Sequence, residues 1–232
     1  MTQKLSCRVE RVIDHGGRVY SLVLRPERQV PRFRAGQFLH LALDPYDPTG
    51  FWPESRVFSI ASGPGQRDGI RITYAVHGRF TARMEADATE GRAVWIKLPY
   101  GDFLIDGTRD SALFAGGTGV TAFTAFLESL DTASRPVTLG YGARTADLLI
   151  YRDAIDACAR RAPALDVLYF TEDGSGGARH GRVSIDAVWP RLRAPLETQC
   201  YVSGPPPMLR SMAADLRARG VPAEAIHIDA WE

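Results

Sequence analysis

The rhythm of apolar residues changes near residue 110, and that change constrains the fold more than any other feature of the chain. Residues 5–106 read as short strands. LSCRVERVID, VYSLVLRP, QFLHLALD, GIRITYAV and AVWIKLPY each alternate or run apolar over about 4–8 residues. The pieces HGG, DPYDPTG, SGPGQRDG and PYGD, rich in turn-forming residues, separate them. Repeated short strands at this spacing point to an antiparallel barrel or sandwich. One helix candidate, FTARMEADA at 80–88, interrupts the series. Beyond residue 110 five apolar stretches appear: SALFAGG, PVTLGYG, LDVLYF, QCYVSG and AIHID. Helix-length segments lie between them at about 119–131, 146–161, 184–193 and 206–219. Alternation of strand and helix predicts a parallel sheet covered on both faces. The glycine-rich TEDGSGGARHG, 171–181, reads as a surface loop. The expected fold is an antiparallel β-barrel, residues 1–106, followed by a five-stranded parallel doubly wound α/β domain, residues 107–232.

Composition narrows the functional classes. At 45% hydrophobic and 24% charged residues the chain has the make-up of a globular protein, not of a disordered tail or a coiled coil. No run reaches the roughly 18 apolar residues of a membrane span. The opening MTQKLSCRVERV lacks the apolar core of a signal peptide, so a cytoplasmic location is expected. The net charge is +1, made of 15 − 12 = +3 up to residue 106 and 13 − 15 = −2 after it. Neither half carries the basic excess of a nucleic-acid binder, and no nucleic-acid partner is expected. Cys7, Cys158 and Cys200 are an odd number, far apart, without a CxxC pair. That spacing suits neither a zinc ribbon nor an iron–sulfur site. His15, His40, His77, His180 and His227 are likewise scattered, so no metal site is expected. Electrons, if handled here, need an organic carrier.

Two segments carry chemistry. Phe114-Ala115-Gly116-Gly117-Thr118-Gly119-Val120-Thr121 joins the first strand of the second half to a helix. Glycines there let backbone N–H groups approach a pyrophosphate at a helix N-terminus. A tight strand–helix turn wants glycine for its own sake as well. In the first half, Arg56-Val57-Phe58-Ser59-Ile60-Ala61-Ser62 opens an apolar strand. Alternation puts Arg56 and Phe58 on one face and Ser59 on the other. An edge strand with a solvent arginine and a core phenylalanine reads equally well.

Taken together and in order, these segments resemble the ferredoxin–NADP reductase superfamily over essentially the whole length. RVFSIAS resembles its flavin motif R-x-[YF]-[ST]-x-x-[ST]. Phe33-Arg34-Ala35-Gly36-Gln37-Phe38 resembles the F-x-x-G-Q-[FY] turn, and Gly78-Arg79-Phe80-Thr81 the turn that holds the flavin phosphates. Leu98-Pro99-Tyr100-Gly101-Asp102-Phe103 is similar to the interdomain GPxGxF segment. FAGGTGVT, Gly140-Tyr141-Gly142-Ala143-Arg144 and Val202-Ser203-Gly204-Pro205-Pro206 are similar to the motifs of the nucleotide side.

The resemblance implies a FAD-binding barrel, an NAD(P)-binding domain and hydride transfer from nicotinamide to flavin N5. It assigns the flavin diphosphate to Arg56 and the turn Gly78 to Thr81, including Phe80. It places Phe58 near the isoalloxazine and Ser59 at N5, with Val57, Tyr74 and Val76 as further flavin contacts. Gly116, Gly117, Thr118, Gly119 and Arg144 would hold the nicotinamide nucleotide, and Ser203, Gly204 and Pro205 would flank its ring. Asp229 and Trp231 have the i, i+2 spacing of an acidic residue and an aromatic that sit over the flavin; a frayed terminus would place the same residues at the surface. Ser59, Ser203, Asp229 and Trp231 are the candidate catalytic residues.

Departures from the family pattern qualify these assignments. Phe58 stands where tyrosine is common, a place where flavin reductases of the superfamily also carry phenylalanine, and Ser203 takes the cysteine position of CGPP. Ala122 stands where proline often follows the glycine turn. The third strand of the second half ends Phe170-Thr171-Glu172-Asp173, where NADPH-using relatives often carry an arginine. Two carboxylates repel a 2′-phosphate, so between NADH and NADPH the reading leans to NADH; Arg144 or Arg179 could reverse it. The motifs leave no length for a fused ferredoxin or haem domain, so a stand-alone reductase module with an external acceptor is expected. Arg25, Arg28, Arg32 and Arg34 form either a solvated loop or a docking patch for an acidic ferredoxin. The expected activity is that of a FAD-dependent NAD(P)H reductase passing electrons to a separate redox protein such as a ferredoxin. A flavin reductase releasing reduced flavin is the alternative. A flavin-binding electron-transfer or regulatory subunit without turnover of its own is a third. Such subunits in pyrimidine synthesis carry a cysteine cluster near the C-terminus, which this chain lacks.

Overall fold

Alternation along the first strands survives as alternation of burial. In a computed structural model, which describes residues 2–230, β1 (Gln3–Asp14) buries Leu5, Cys7 and Val9 and leaves Lys4 and Arg8 exposed. It is followed by β2 (Val19–Pro26), β3 (Phe38–Ala42), β4 (Ser55–Ser59) and β5 (Ile70–Ala75), then helix α1 (Arg79–Asp87) and β6 (Ala93–Tyr100). These six strands form one antiparallel sheet in the order β4-β3-β6-β1-β2-β5. Just past β4, the Ala61 N–H donates to the Arg71 carbonyl of β5 at 2.8 Å. The two edges therefore meet and the sheet nearly closes into a barrel, which removes exposed strand edges. Leu22, Leu24, Leu39, Leu41, Ile72, Val94 and Ile96 fill it without exposure, and α1 adds Phe80 and Met84 to the same core.

The chain divides into two compact units after Leu104. The second begins with β7 (Ser111–Gly116) and α2 (Thr121–Glu128), then β8 (Val137–Ala143), α3 (Arg152–Arg161) and β9 (Leu165–Thr171). It continues with β10 (Arg179–His180), α4 (Ile185–Val188), β11 (Gln199–Ser203), α5 (Pro206–Ala218) and β12 (Ile226–Asp229). The six strands are parallel, in the order β10-β9-β8-β7-β11-β12. From β7 the chain winds outward to β8 and β9; from β11 it winds the other way to β12. The switch point lies between β7 and β11, and in open α/β sheets ligands bind there, outside the carboxyl ends of the strands.

Three details differ from the sequence reading. The sheet has six strands and not five, because the glycine-rich loop doubles back. Gly174, Gly176 and Gly177 all take positive φ, and Arg179 and His180 then pair with Phe170 and Thr171. The helix expected over 146–161 is broken: a 3-10 turn at Ala146–Leu148 precedes Tyr151 at φ +64°, and α3 starts only at Arg152. Leu149 and Ile150, which lie at the break, are both buried. The helix expected over 184–193 shrinks to four residues and a 3-10 turn, Trp189–Arg191. Pro190 has no N–H to donate to the carbonyl four residues back, so the α-helical ladder stops although Trp189 keeps helical dihedrals. No helix among the described residues is long and apolar enough to cross a membrane.

Candidate functional site

In the barrel unit the site forms around the end of β4 and the start of α1. The first intrahelical bond of α1 runs from Ala82 N–H to Gly78 O at 2.9 Å. The N–H groups of Arg79, Phe80 and Thr81 have no partner among the described residues, as expected for a helix start. Thr81 holds the turn: its Oγ1 accepts from the N–H of His77 and Gly78, at 3.0 and 3.1 Å, and lies 3.1 Å from Gly78 O, to which it donates. Gly78 itself has φ −149°, extended backbone open to any residue, and a Cβ built on it would meet nothing within 4 Å. Neither strain nor packing calls for glycine there. Open space in front of free N–H groups at a helix N-terminus suits a phosphate.

Arg56 faces the same turn, its guanidinium 5.1 Å from the centre of the buried Phe80 ring. A carboxylate missed in the sequence reading joins it. Glu54 Oε1 lies 3.3 Å from Arg56 Nη2, and Glu54 Oε2 lies 3.5 Å from Arg79 Nη2. A strand period of two places Glu54 beside Arg56 and Phe58, so the signal was present. An open cleft of about 330 Å³ is lined by Glu54, Arg79, Phe80 and Arg83. Arg83 is tied down by two hydrogen bonds to Asp44, at 2.8 and 2.5 Å, and these hold the Asp44 carboxyl below its ordinary range.

Behind this cationic end lies an aromatic one. Phe58 and Tyr74 meet edge to face at 6.2 Å, and Tyr74 packs on Tyr20 at 5.7 Å. Burial pushes the Tyr74 phenol up, and its hydroxyl has no hydrogen-bond partner among the described residues. Ser59 is buried, and its hydroxyl too has no partner among them. Val57 and Val76 are half-buried nearby in sequence, Val76 packing on the barrel core. Free N–H groups, an arginine, an aromatic ring and unengaged hydroxyls are the donor set a flavin nucleotide requires, so the residues present fit the group. The FxxGQ turn is also explained: Gly36 has φ +90°, and a Cβ there would stand 1.9 Å from the Phe103 carbonyl oxygen.

In the second unit the glycines of β7 and β11 meet at the switch point. A Cβ on Gly119 would stand 2.4 Å from the Ser203 carbonyl oxygen; one on Gly116 would reach Met208 Sδ at 2.5 Å and Pro205 Cδ at 3.0 Å. A Cβ on Gly204 would stand 2.9 Å from Met208 Sδ and 3.2 Å from Gly116 Cα. These three glycines are demanded by close packing. Gly117 differs: its φ is +54° and a Cβ on it would meet nothing within 4 Å. Thr118, half-buried between Gly117 and Gly119, has no side-chain partner among the described residues. The turn thus serves tight packing and leaves open backbone, combining the two readings offered by the sequence.

Ser203 and Asp229 are brought together. They are paired across β11 and β12, both are buried, and the Ser203 hydroxyl donates to Asp229 Oδ2 at 2.8 Å. Trp231 lies outside the described residues. At the far corner, Arg144 is exposed, and its carbonyl accepts from the Glu172 N–H at 3.2 Å. Arg182 Nε lies 3.6 Å from Glu172 Oε1, and Arg179 is in β10 beside them. Cations and carboxylates therefore share this corner. Of the arginine group, Arg25 pairs with Glu10 and Arg28 donates to the Lys4 carbonyl at 3.3 Å; Arg32 and Arg34 are exposed and unpaired among the described residues. The cysteines are buried apart from one another, with the thiols of Cys7 and Cys200 pushed up to about 12 by burial.

Residues 113–214 match the family described as the oxidoreductase NAD-binding domain. The chain is 34% identical to the probable dihydroorotate dehydrogenase B (NAD(+)) electron transfer subunit of Methanopyrus kandleri, over 89% of this chain and 72% of that one. It is 26% identical to the reductase component of propane 2-monooxygenase from Mycolicibacterium smegmatis, over 99% of this chain and 68% of that one. The flavohem-like FAD/NAD binding domain of nitric oxide dioxygenase from Vibrio cholerae superposes with a TM-score of 0.84, at 20% identity and 98% coverage of both chains. The barrel, the switch-point glycines and these relatives lead to one conclusion: the chain belongs to the ferredoxin–NADP reductase superfamily, as an NAD(P)H-dependent flavoprotein oxidoreductase.

Proposed function

We propose that the barrel binds FAD and that the chain passes electrons from NADH, through that flavin, to a separate redox protein in the cytoplasm. The observation carrying this reading is the meeting of Arg56, Phe80 and the free N–H groups of α1 around the open space at Gly78. When bound, the flavin supplies the chemistry, accepting a hydride from nicotinamide and releasing electrons to the acceptor. Arg56 and the α1 N-terminus take the diphosphate, where a planar guanidinium binds bidentately. Phe58 and Tyr74 provide the apolar wall for the ring system, and Ser59 offers its free hydroxyl to N5. Gly116, Gly117, Thr118 and Gly119 receive the nicotinamide nucleotide, beside Ser203, Gly204 and Pro205. Asp229 fixes the Ser203 hydroxyl, so this serine is oriented before any ligand arrives.

Glu172 and Asp173 at the end of β9 support NADH, since carboxylates there disfavour a 2′-phosphate. The exposed Arg144, Arg179 and Arg182 in the same corner are what favours NADPH. An external acceptor is supported by the relatives, which are an electron transfer subunit and a reductase component by description; a ferredoxin, docking on Arg32 and Arg34, is the acceptor proposed here. Release of reduced flavin is the second reading, favoured by Phe58 in place of the usual tyrosine. Protein loaded with FAD and freed of excess by gel filtration, given NADH and an artificial one-electron acceptor, separates the two. Turnover that follows bound FAD and ignores added free flavin is expected; turnover that requires and saturates with free flavin would establish the second reading instead.

A further inference from the structure

The anion place beside Arg56 is already taken by a residue of the chain itself. The Glu54 carboxylate sets one oxygen against Arg56, at 3.3 Å, and the other against Arg79, at 3.5 Å. Arg56 is the cation of the flavin motif, and Arg79 is the first residue of α1, whose N–H groups face the same opening. A carboxylate between two guanidinium groups makes the same kind of charge-assisted contact that a phosphate group would make with them. The side chains are exposed by 42% for Glu54, 52% for Arg56 and 90% for Arg79. Ion pairs this exposed are weak and release readily. Glu54 therefore does not close the site. It competes for it, and once displaced it remains within a Debye length of the incoming charge.

We infer that Glu54 is an affinity-setting residue: it competes with the flavin diphosphate for Arg56 and Arg79, and so lowers the affinity for FAD. The inference rests on the proposed flavin site in the barrel. It also gives the choice between resident cofactor and diffusible flavin a location in the chain, since a single carboxylate shifts the balance. A ligand without phosphate does not meet this competition.

The test is equilibrium binding of FAD and of riboflavin to the wild-type protein, to Glu54→Gln and to Glu54→Ala, followed by flavin fluorescence. Both variants bind FAD about three- to tenfold more tightly than wild type at low ionic strength. The gain shrinks at about 1 M salt, where the Debye length is ~3 Å. Riboflavin binds all three proteins alike. Unchanged or weaker FAD binding by the variants overturns the inference, and so does an equal gain for riboflavin. A wild-type protein and variants that all leave FAD unbound overturn the flavin site itself, which is a different failure from equal binding by all three.

Discussion

Arg56 is the residue on which the flavin site depends most. Arg56→Ala removes the guanidinium that faces Phe80 and Glu54. Loss of a charge-assisted contact to a diphosphate costs about 1.5–3 kcal/mol, so FAD affinity falls at least about tenfold. Titration of the variant with FAD checks this, and unchanged affinity removes Arg56 from the role. Arg56, Phe58, Ser59 and Gly78 were legible because they sit in short motifs whose chemistry is local. Glu54 was not singled out, although its offset of two from Arg56 on an extended chain was enough to place it. The Ser203–Asp229 hydrogen bond was beyond reach of the sequence: it depends on the register of β11 against β12 across 26 positions. Each residue alone looked like a candidate contact to a cofactor, and only the fold shows that one orients the other.

At the scale of elements, two glycines that look alike in sequence do different work. Gly119→Ala drives a Cβ into the Ser203 backbone, 2.4 Å from its oxygen and 2.6 Å from its carbon. Backbone cannot rotate away, so stability falls by about 1–3 kcal/mol or more, read as a lower urea midpoint. Gly78→Ala meets nothing within 4 Å and needs no unusual φ. Stability stays within ~0.5 kcal/mol, while the methyl projects into the space in front of the α1 N–H groups and weakens FAD binding. A parallel loss of stability and affinity in Gly78→Ala would mean that the turn is merely structural. Strand positions were read closely, because alternation and turn residues are local signals. Helix extents are less legible where tertiary packing decides: nothing local announces the break at Tyr151, whereas Pro190 is a local signal for the early end of α4. β10 exists only because its loop folds back onto β9.

For the molecule as a whole, the sequence showed the two architectures and their order, since the change from strand runs to strand–helix alternation is a property of long segments. It did not show how charge is used, because totals hide pairing: Arg25 spends its charge on Glu10, while Arg32 and Arg34 are left for solvent or a partner. Burial holds His15, His40 and His227 below the ordinary value of 6.5, with Arg71 adding to the effect at His15 and Lys97 at His40. The unfolded chain therefore takes up protons first, so stability is full above about pH 6.5 and falls as the pH drops towards the folded values. Asp44 and Glu85, held low by Arg83 and Arg18, extend the loss at lower pH as they are protonated. The urea midpoint at about pH 5.5 lies below that at about pH 7.5, and an equal midpoint would contradict this. The central claim is that this chain, loaded with FAD, takes electrons from a nicotinamide nucleotide. Anaerobic titration of the FAD-loaded protein with NADH, and separately with NADPH, tests it most directly. The visible flavin absorption is predicted to bleach stoichiometrically, with NADH acting at lower concentration than NADPH; flavin that stays oxidised with both nucleotides would contradict the account.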